Sequence, residues 1–244
     1  MTISYDVVGN GPPILLVHAG VADRRMWSAQ VEELRHTHQV ITPDLRGYGE
    51  TPVAPKYSDA GDLLDLLDHL ALTQVTAVGA SYGGYVVQQA ASRRPDLFTR
   101  LVLICAPTDN VEPDDALRAL WSEENALIEA GDVEAATELT VQHWIGPEAD
   151  DTARSLLRTM QRRAYDLQIP AHDVHNEEYP VTPETLTMPV RLITGAHDYQ
   201  FFTASATYLQ NHLPHPETIT LPWAGHLPTL ERPTEALQLI LQCG

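Results

Sequence analysis

The stretch VTAVGASYGGYVVQQA, residues 75–90, changes its pattern at the midpoint. Up to Gly79 it is apolar and rich in β-branched residues, which predicts a short buried strand. Between residues 82 and 91, apolar side chains recur at helical spacing and predict a helix packed on that strand. The sequence therefore predicts a strand, a tight turn and a helix in direct succession.

The turn contains the pattern G-x-S-x-G, with Gly79, Ser81 and Gly83 at its fixed positions. In a strand–turn–helix context this pattern is typical of a nucleophile elbow, where the serine backbone is strained and its neighbours must lack bulk. An ordinary helix N-cap is the structural alternative for Ser81. As a nucleophile, Ser81 needs a histidine base, an acid that orients the histidine, and donors for an oxyanion.

Other apolar runs indicate that the strand at 75–80 belongs to a parallel sheet. The runs resemble buried strands and lie at residues 13–18, 39–43, 100–106, 189–195 and 217–222. Helical patterns lie between them, for example at 62–72. This alternation predicts an α/β fold, with helices on both faces of a mostly parallel sheet.

The strand pattern stops between Pro107 and Pro189. Helix-like segments replace it at about 113–130, 132–144 and 151–165, so we predict an all-helical insertion. The domain prediction is a core of residues 1–106 and 188–244 and a helical cap of residues 107–187.

The amino-acid composition and the net charge argue against some classes of function. The 244 residues are 43% hydrophobic and carry a formal charge of −18, which disfavours nucleic-acid binding because no basic cluster opposes the trend. No apolar run approaches the roughly 20 residues that span a bilayer. We therefore expect a cytoplasmic protein without a membrane segment. Cys105 and Cys243 are not expected to form a disulfide.

Polar residues follow the later strands at the sheet edge where parallel-strand proteins collect their functional groups. Asp198 follows the run at 189–195 and His226 follows the run at 217–222. The order Ser81, Asp198, His226 is that of a hydrolase triad. After the first run, small residues let the backbone N–H of Gly20 approach a bound oxygen, and with the N–H of Tyr82 it would form an oxyanion hole.

With these residues in hand, the sequence resembles the α/β-hydrolase superfamily in its esterase, lactonase and cofactor-free perhydrolase branch. PDLRGYG at 43–49 and AGHLPTLERP at 224–233 also resemble family segments. The resemblance implies a central sheet of about seven strands. Two departures stand out: His18-Ala19-Gly20 replaces the common His-Gly-Gly, and ISYDVVG at 3–9 resembles the family's second strand, with the first absent.

The resemblance implies that Ser81 is the nucleophile, Asp198 the acid and His226 the base. The expected function is cleavage of a small or medium carboxylic ester or lactone, a small-molecule substrate, with no metal or organic cofactor. Carbon–carbon bond hydrolysis and perhydrolysis remain open because they use the same triad, as does a small-molecule receptor on this fold. Asp109 is the alternative acid, because it also follows a predicted strand.

The predicted helical cap supplies the candidate pocket residues, namely Trp121, His143 and Trp144. Other polar residues are given structural roles. His18 is interpreted as a loop histidine, and Asp44 and Arg46 as residues that hold a loop together. His172 and His175 lack metal-ligand spacing, and the oligomeric state stays open.

Overall fold

The computed structural model describes residues 3–241, and the apolar runs of the sequence are β-strands in it. The strands are β1 (Tyr5–Val8), β2 (Pro13–Val17), β3 (Gln39–Pro43), β4 (Lys56–Tyr57), β5 (Val75–Ala80), β6 (Phe98–Ile104), β7 (His175–Asn176), β8 (Val190–Gly195) and β9 (Pro216–Leu221). Seven of these strands within residues 3–241 form one sheet, in the order β1-β3-β2-β5-β6-β8-β9. Only β1, at the edge, is antiparallel to its neighbour in this described sheet. The predicted mostly parallel sheet is confirmed.

Helices connect the strands. They are α1 (Ser28–Leu34), α2 (Asp59–His69), α3 (Tyr82–Arg93), α4 (Asp115–Glu129), α5 (Val133–Trp144), α6 (Asp151–Gln168), α7 (Gln200–His212), α8 (Pro228–Glu231) and α9 (Pro233–Leu241). Cys243 lies outside the described residues. Cys105 has a free, buried thiol.

The core has two parts, one on each face of the sheet. Side chains of successive strand residues point to opposite faces, so Leu16 and Val78 pack in one buried cluster with residues of α1 and α9. Leu15 and Ala77 pack in the other cluster with residues of α2, α3 and α7. Both faces are covered, which explains why the central strands β2 and β5 are mostly apolar and buried. No helix among the described residues is long and apolar enough to cross a membrane.

Residues 107–187, called here the inserted segment, lie between β6 and β8 and contain α4, α5 and α6. Each of these helices begins with an aspartate N-cap, which supplies an acceptor for a helix N–H that has no partner within the helix. The caps are Asp114, Asp132 and Asp150, which accept hydrogen bonds from the N–H groups three residues on, at 2.9, 3.0 and 2.8 Å. Asp114 also accepts a 3.0 Å hydrogen bond from the N–H of Phe201, so the start of α4 is joined to the start of α7.

The prediction of an all-helical inserted segment is wrong at one point. The two-residue strand β7 pairs in parallel with β4, which precedes α2. The N–H of His175 donates to the carbonyl of Pro55 at 2.9 Å, and the N–H of Glu177 donates to that of Tyr57 at 2.7 Å. The two residues of β7 are polar and are too few to show the alternation that predicts a strand. Their pairing depends on β4, which lies far earlier in the chain, so the local sequence did not indicate this strand.

Candidate functional site

The turn between β5 and α3 places Ser81 in a strained conformation, with φ of 49° and ψ of −122°. Glycine is required on both sides of this serine. A Cβ on Gly79 would lie 2.5 Å from Cα of Gly84, and a Cβ on Gly83 would lie 2.3 Å from the carbonyl oxygen of His18. The sharp turn is therefore possible only with the glycines that the sequence provides.

Three predicted residues meet at the carboxyl end of the sheet. His226 Nε2 lies 2.7 Å from Ser81 Oγ, and His226 Nδ1 lies 2.8 Å from Asp198 Oδ2. The His226 and Asp198 side chains are 2% and 1% exposed. Ser81 follows β5, Asp198 follows β8 and His226 follows β9, so the strand ends bring together residues that are 145 positions apart in the chain.

The geometry defines the hydrogen-bond roles. With Asp198 ionised, Nδ1 of His226 carries the proton and donates to the carboxylate, and Nε2 is left to accept from the Ser81 hydroxyl. The N–H of Tyr199 donates to the other carboxylate oxygen, Oδ1, at 2.7 Å. Both oxygens of Asp198 are therefore engaged, which fixes the carboxylate and, through it, the imidazole ring.

The alternative acid, Asp109, points elsewhere. Its Oδ2 accepts a 3.2 Å hydrogen bond from the N–H of Val181, and its Oδ1 accepts one from Asn110 at 2.7 Å. Asp109 thus holds two parts of the inserted segment together. Of the two candidate carboxylates, only Asp198 contacts His226.

Gly20 and Tyr82, the predicted oxyanion donors, lie against each other. A Cβ on Gly20 would be 3.2 Å from Cβ of Tyr82. Tyr82 is the first residue of α3, where backbone N–H groups have no partner within the helix. Both residues line the cavity that contains Ser81. Two N–H groups at this place suit a developing negative charge.

His18 fixes the loop that carries Gly20. Its buried ring accepts a 2.9 Å hydrogen bond from the N–H of Leu45 at Nε2, while Nδ1 lies 2.8 Å from the carbonyl of Ala19. Burial lowers the pKa of His18, so the ring is neutral and Nδ1 donates. The interpretation of His18 as a loop histidine agrees with these contacts.

Asp44 and Arg46 hold the neighbouring loop. Asp44 accepts hydrogen bonds from the N–H groups of Arg24 and Glu50 at 2.9 and 2.8 Å. Arg46 donates to Asp62 at 2.6 and 3.0 Å. Asp44 also lines a charged cavity of about 440 Å³ that does not contain Ser81.

A cavity of about 420 Å³ opens beside the serine. Its lining comes from the sheet edge, from α4, α5 and α6 and from the start of α7; the residues are Gly20, Val21, Ser81, Tyr82, Tyr85, Pro107, Trp121, Glu124, Trp144, Gln161, Tyr165, Gln168, Glu178, Phe201, Phe202 and His226. Trp121 and Trp144, two of the candidate pocket residues, are in this lining. The size suits one small or medium organic molecule.

His143, the third predicted pocket residue, does not line this cavity. Its ring is exposed, and its Nδ1 lies 2.8 Å from the hydroxyl of Tyr199. The next residue, Trp144, is buried and lies 4.7 Å from the His226 ring between centroids. Successive helix residues differ by about 100° in direction, so only one of this pair faces the site.

Several residues of the cavity lining were not predicted from the sequence. The ring of Phe202 lies 4.1 Å from that of His226 between centroids. Glu124 and Glu178 are acidic residues on segments that resemble solvated surface. Phe202 was detectable only as an apolar residue near Asp198, and the two glutamates required knowledge of which helix face meets the cavity.

One group of potential metal ligands occurs in the described residues, and it is Cys105, Asp198 and His226, whose ligand atoms lie within 4.8 Å of one another. Both ring nitrogens of His226 are already hydrogen-bonded to Ser81 and Asp198. Burial raises the pKa of the Cys105 thiol, which disfavours the thiolate that metals bind. His172 and His175 are not part of this group.

Comparisons with known proteins agree with this architecture. The model of the alpha/beta hydrolase family matches residues 14–238. Strigolactone esterase D14 of Arabidopsis thaliana is 26% identical over 98% of this chain and 94% of its own length. The enzyme 3-oxoadipate enol-lactonase 2 of Acinetobacter baylyi is 24% identical over 96% of this chain and 89% of its own length. A thermophilic esterase from Thermogutta terrifontis is similar in structure, with a TM-score of 0.80 and 28% identity over 98% of this chain and 91% of its own.

Proposed function

This chain belongs to the alpha/beta hydrolase family and is an ester-acting hydrolase, and we propose that it cleaves a small or medium carboxylic ester or lactone through an acyl-enzyme on Ser81. The observation that carries the proposal is the chain of hydrogen bonds from Ser81 through His226 to Asp198. It supplies a nucleophile, a base and an acid in contact with one another.

The first half-reaction follows from these contacts. Ser81 Oγ attacks the acyl carbonyl carbon while His226 Nε2 accepts the hydroxyl proton. Asp198 stabilises the imidazolium that forms. The N–H groups of Gly20 and Tyr82 donate hydrogen bonds to the carbonyl oxygen as it becomes negative. When the tetrahedral intermediate collapses, the carbon–oxygen bond to the alcohol breaks, and His226 gives its proton to the leaving oxygen.

The second half-reaction uses the same groups with water. His226 accepts a proton from a water molecule, whose oxygen attacks the acyl carbon. Collapse of this intermediate releases the carboxylic acid and returns the proton to Ser81. For a lactone, the alcohol and the acid are parts of one product. The reaction consumes one water and requires no oxidant, reductant or cofactor.

The inserted segment acts in this proposal as a cap. Its helices α4, α5 and α6 contribute Trp121, Trp144 and Tyr165 to the cavity wall, and the sheet domain contributes Ser81. A wall of this kind limits the length of the acyl or alcohol chain and reduces the water around the reacting carbonyl. The cavity volume of about 420 Å³ supports a small or medium substrate.

The test combines turnover with covalent labelling. Wild-type protein should hydrolyse p-nitrophenyl esters of short acids or simple lactones over many turnovers, and a fluorophosphonate should label the peptide that contains Ser81. Ser81→Ala should lower kcat by about 10⁴-fold or more and abolish labelling. Ser155→Ala, at an exposed serine on α6, is the matched control and should change neither result.

Two outcomes would contradict the proposal. Full turnover by pure Ser81→Ala protein would remove the serine from the mechanism. Stoichiometric labelling of Ser81 without multiple turnover on any ester or lactone would favour the receptor alternative.

A further inference from the structure

The charged groups of the catalytic cavity are unbalanced. Glu124 of α4 and Glu178, which follows β7, both line it. No lysine or arginine of the described chain is in this lining. The one basic side chain there, His226, must be neutral to act as the base. The charges beside the reacting serine are therefore negative.

Tyrosines hold both carboxylates in place. Tyr165, which is buried, donates to Oε1 of Glu124 at 2.5 Å. Tyr85 donates to Oε2 of Glu178 at 3.4 Å. Burial, with the adjoining glutamate charge, raises the pKa of both phenols, that of Tyr85 to about 12, so both stay donors at neutral pH. Each of these hydrogen bonds comes from a neutral phenol, which does not neutralise the charge of the carboxylate.

Aromatic rings accompany the carboxylates. Trp121 is 38% exposed and precedes Glu124 by three residues on α4, so the two side chains lie on the same helix face. Tyr85, Tyr165 and Trp144 also line the cavity. The faces of aromatic rings attract cations, and cages of aromatic rings are a recurring site for quaternary ammonium groups.

We propose that this cavity selects esters or lactones that carry a cationic ammonium group, accepts neutral analogues less well, and rejects substrates that carry a carboxylate. The inference rests on the proposed function and adds its substrate class. A carboxylate on the substrate would be repelled by Glu124 and Glu178, with no lysine or arginine in the described lining to offset the repulsion. The chain's net charge of −18 adds attraction for cations at longer range.

The test uses three acetate esters of similar shape that differ in charge. Choline acetate carries a quaternary ammonium, 3,3-dimethylbutyl acetate replaces the nitrogen by carbon, and 3-acetoxypropanoate carries a carboxylate. Esters of 4-(trimethylammonio)butanoate, compared with the same esters of 5,5-dimethylhexanoate, place the cation on the acyl side, far enough from the carbonyl to leave its intrinsic reactivity nearly unchanged. We expect kcat/KM for at least one cationic ester to exceed that of its neutral analogue by about tenfold or more at low ionic strength. The anionic ester should lie below the neutral one, and added salt should reduce both differences.

Variants assign the preference to the two glutamates. The double variant Glu124→Gln with Glu178→Gln should bring the cation-to-neutral ratio close to one. Its matched control is Glu123→Gln with Glu177→Gln, because these exposed neighbours are outside the lining and the change in net charge is the same. The control should keep the wild-type ratio. Circular dichroism and thermal unfolding check that both proteins are folded.

Each remaining outcome overturns the inference. The inference is wrong if the wild-type protein has a cation-to-neutral ratio of kcat/KM of one or less both when the cation is on the alcohol side and when it is on the acyl side. This outcome needs no variant. An equal loss of the ratio in the control pair would attribute the effect to overall charge. Turnover of the neutral ester by the wild-type protein tests the proposed function separately, so a wild-type protein that turns over the neutral ester normally but shows no preference for the cation contradicts this inference alone.

Discussion

The hydroxyl of Tyr82 donates a 2.7 Å hydrogen bond to Oδ2 of Asp59, a carboxylate that is 3% exposed. Asn176 of β7 completes the group: its side-chain N–H donates to the Tyr82 oxygen at 2.8 Å and to Asp59 Oδ2 at 3.2 Å. This network joins the inserted segment to the start of α3. The backbone N–H of Tyr82 is one of the two proposed oxyanion donors, so the network also fixes the residue that carries this donor.

Asp59 should make stability depend on pH. Burial is the largest effect on this carboxyl and raises its pKa from 3.8 to about 6. The folded state therefore holds the proton more tightly than the unfolded chain, so the stabilisation is full below about pH 4 and is lost as pH rises through about 6. Asp59→Asn cannot ionise, and relative to wild type it should gain up to about 3 kcal/mol of unfolding free energy between pH 4 and pH 7.

Urea unfolding at several pH values measures this change. Asp65→Asn is the control, since Asp65 is on the same helix but exposed. A difference between Asp59→Asn and wild type that is constant across the range would show that Asp59 does not titrate there.

The two candidate acids should respond differently to amidation. Asp198→Asn removes the acceptor that fixes the His226 tautomer, and kcat should fall by about 10⁴-fold, as for the acid of the well-studied serine protease triad. Asp109→Asn should change kcat little, because its contacts are with Val181 and Asn110. Steady-state kinetics on one p-nitrophenyl ester gives both values. The opposite ranking would assign the acid to Asp109.

The two tryptophans of the cavity should separate into different roles. Trp144 is 6% exposed and packs on His226 and Phe202, so Trp144→Ala should cost about 3–5 kcal/mol of stability and lower kcat for every ester. Trp121 is 38% exposed and lies in the cavity wall, so Trp121→Ala should alter the preference among acyl chain lengths and should cost less stability than Trp144→Ala. Thermal unfolding and kcat/KM for acetate through octanoate esters test this. Equal losses for all chain lengths in Trp121→Ala would make it a packing residue.

Cys105 should be unreactive while the protein is folded. Its side chain is fully buried next to Asp198, and burial, the main cause, raises its thiol pKa. In a Cys243→Ser background, we expect no reaction with iodoacetamide at pH 8 in buffer and complete alkylation in concentrated urea, as mass spectrometry would measure. Rapid alkylation of the native protein would mean that this region opens readily.

The sequence predicted those features that depend on local pattern. The strands at 39–43 and 189–195 were recognised because burial on both faces makes most of their residues apolar. Ser81, Asp198 and His226 were recognised because each follows such a strand. Features that depend on orientation between helices were missed. His143 and Trp144 are successive residues of α5 and point in different directions, so one is exposed and the other is buried. The sequence around Glu124 does not indicate that this residue lies on a cavity wall and not in solvent.

The short pairing of β4 with β7 determines which residues must be exchanged together in a chimera of this protein and a relative. Exchange of residues 107–187 for the corresponding segment of another family member would keep these hydrogen bonds only if the new segment places backbone N–H groups against the carbonyls of Pro55 and Tyr57. It would also remove Asn176 from Tyr82 and Asp59. The unit that must be transferred together therefore includes residues 55–59 as well as the inserted segment. A functional chimera requires two matched crossover regions, and in natural descent the two stretches should change in concert.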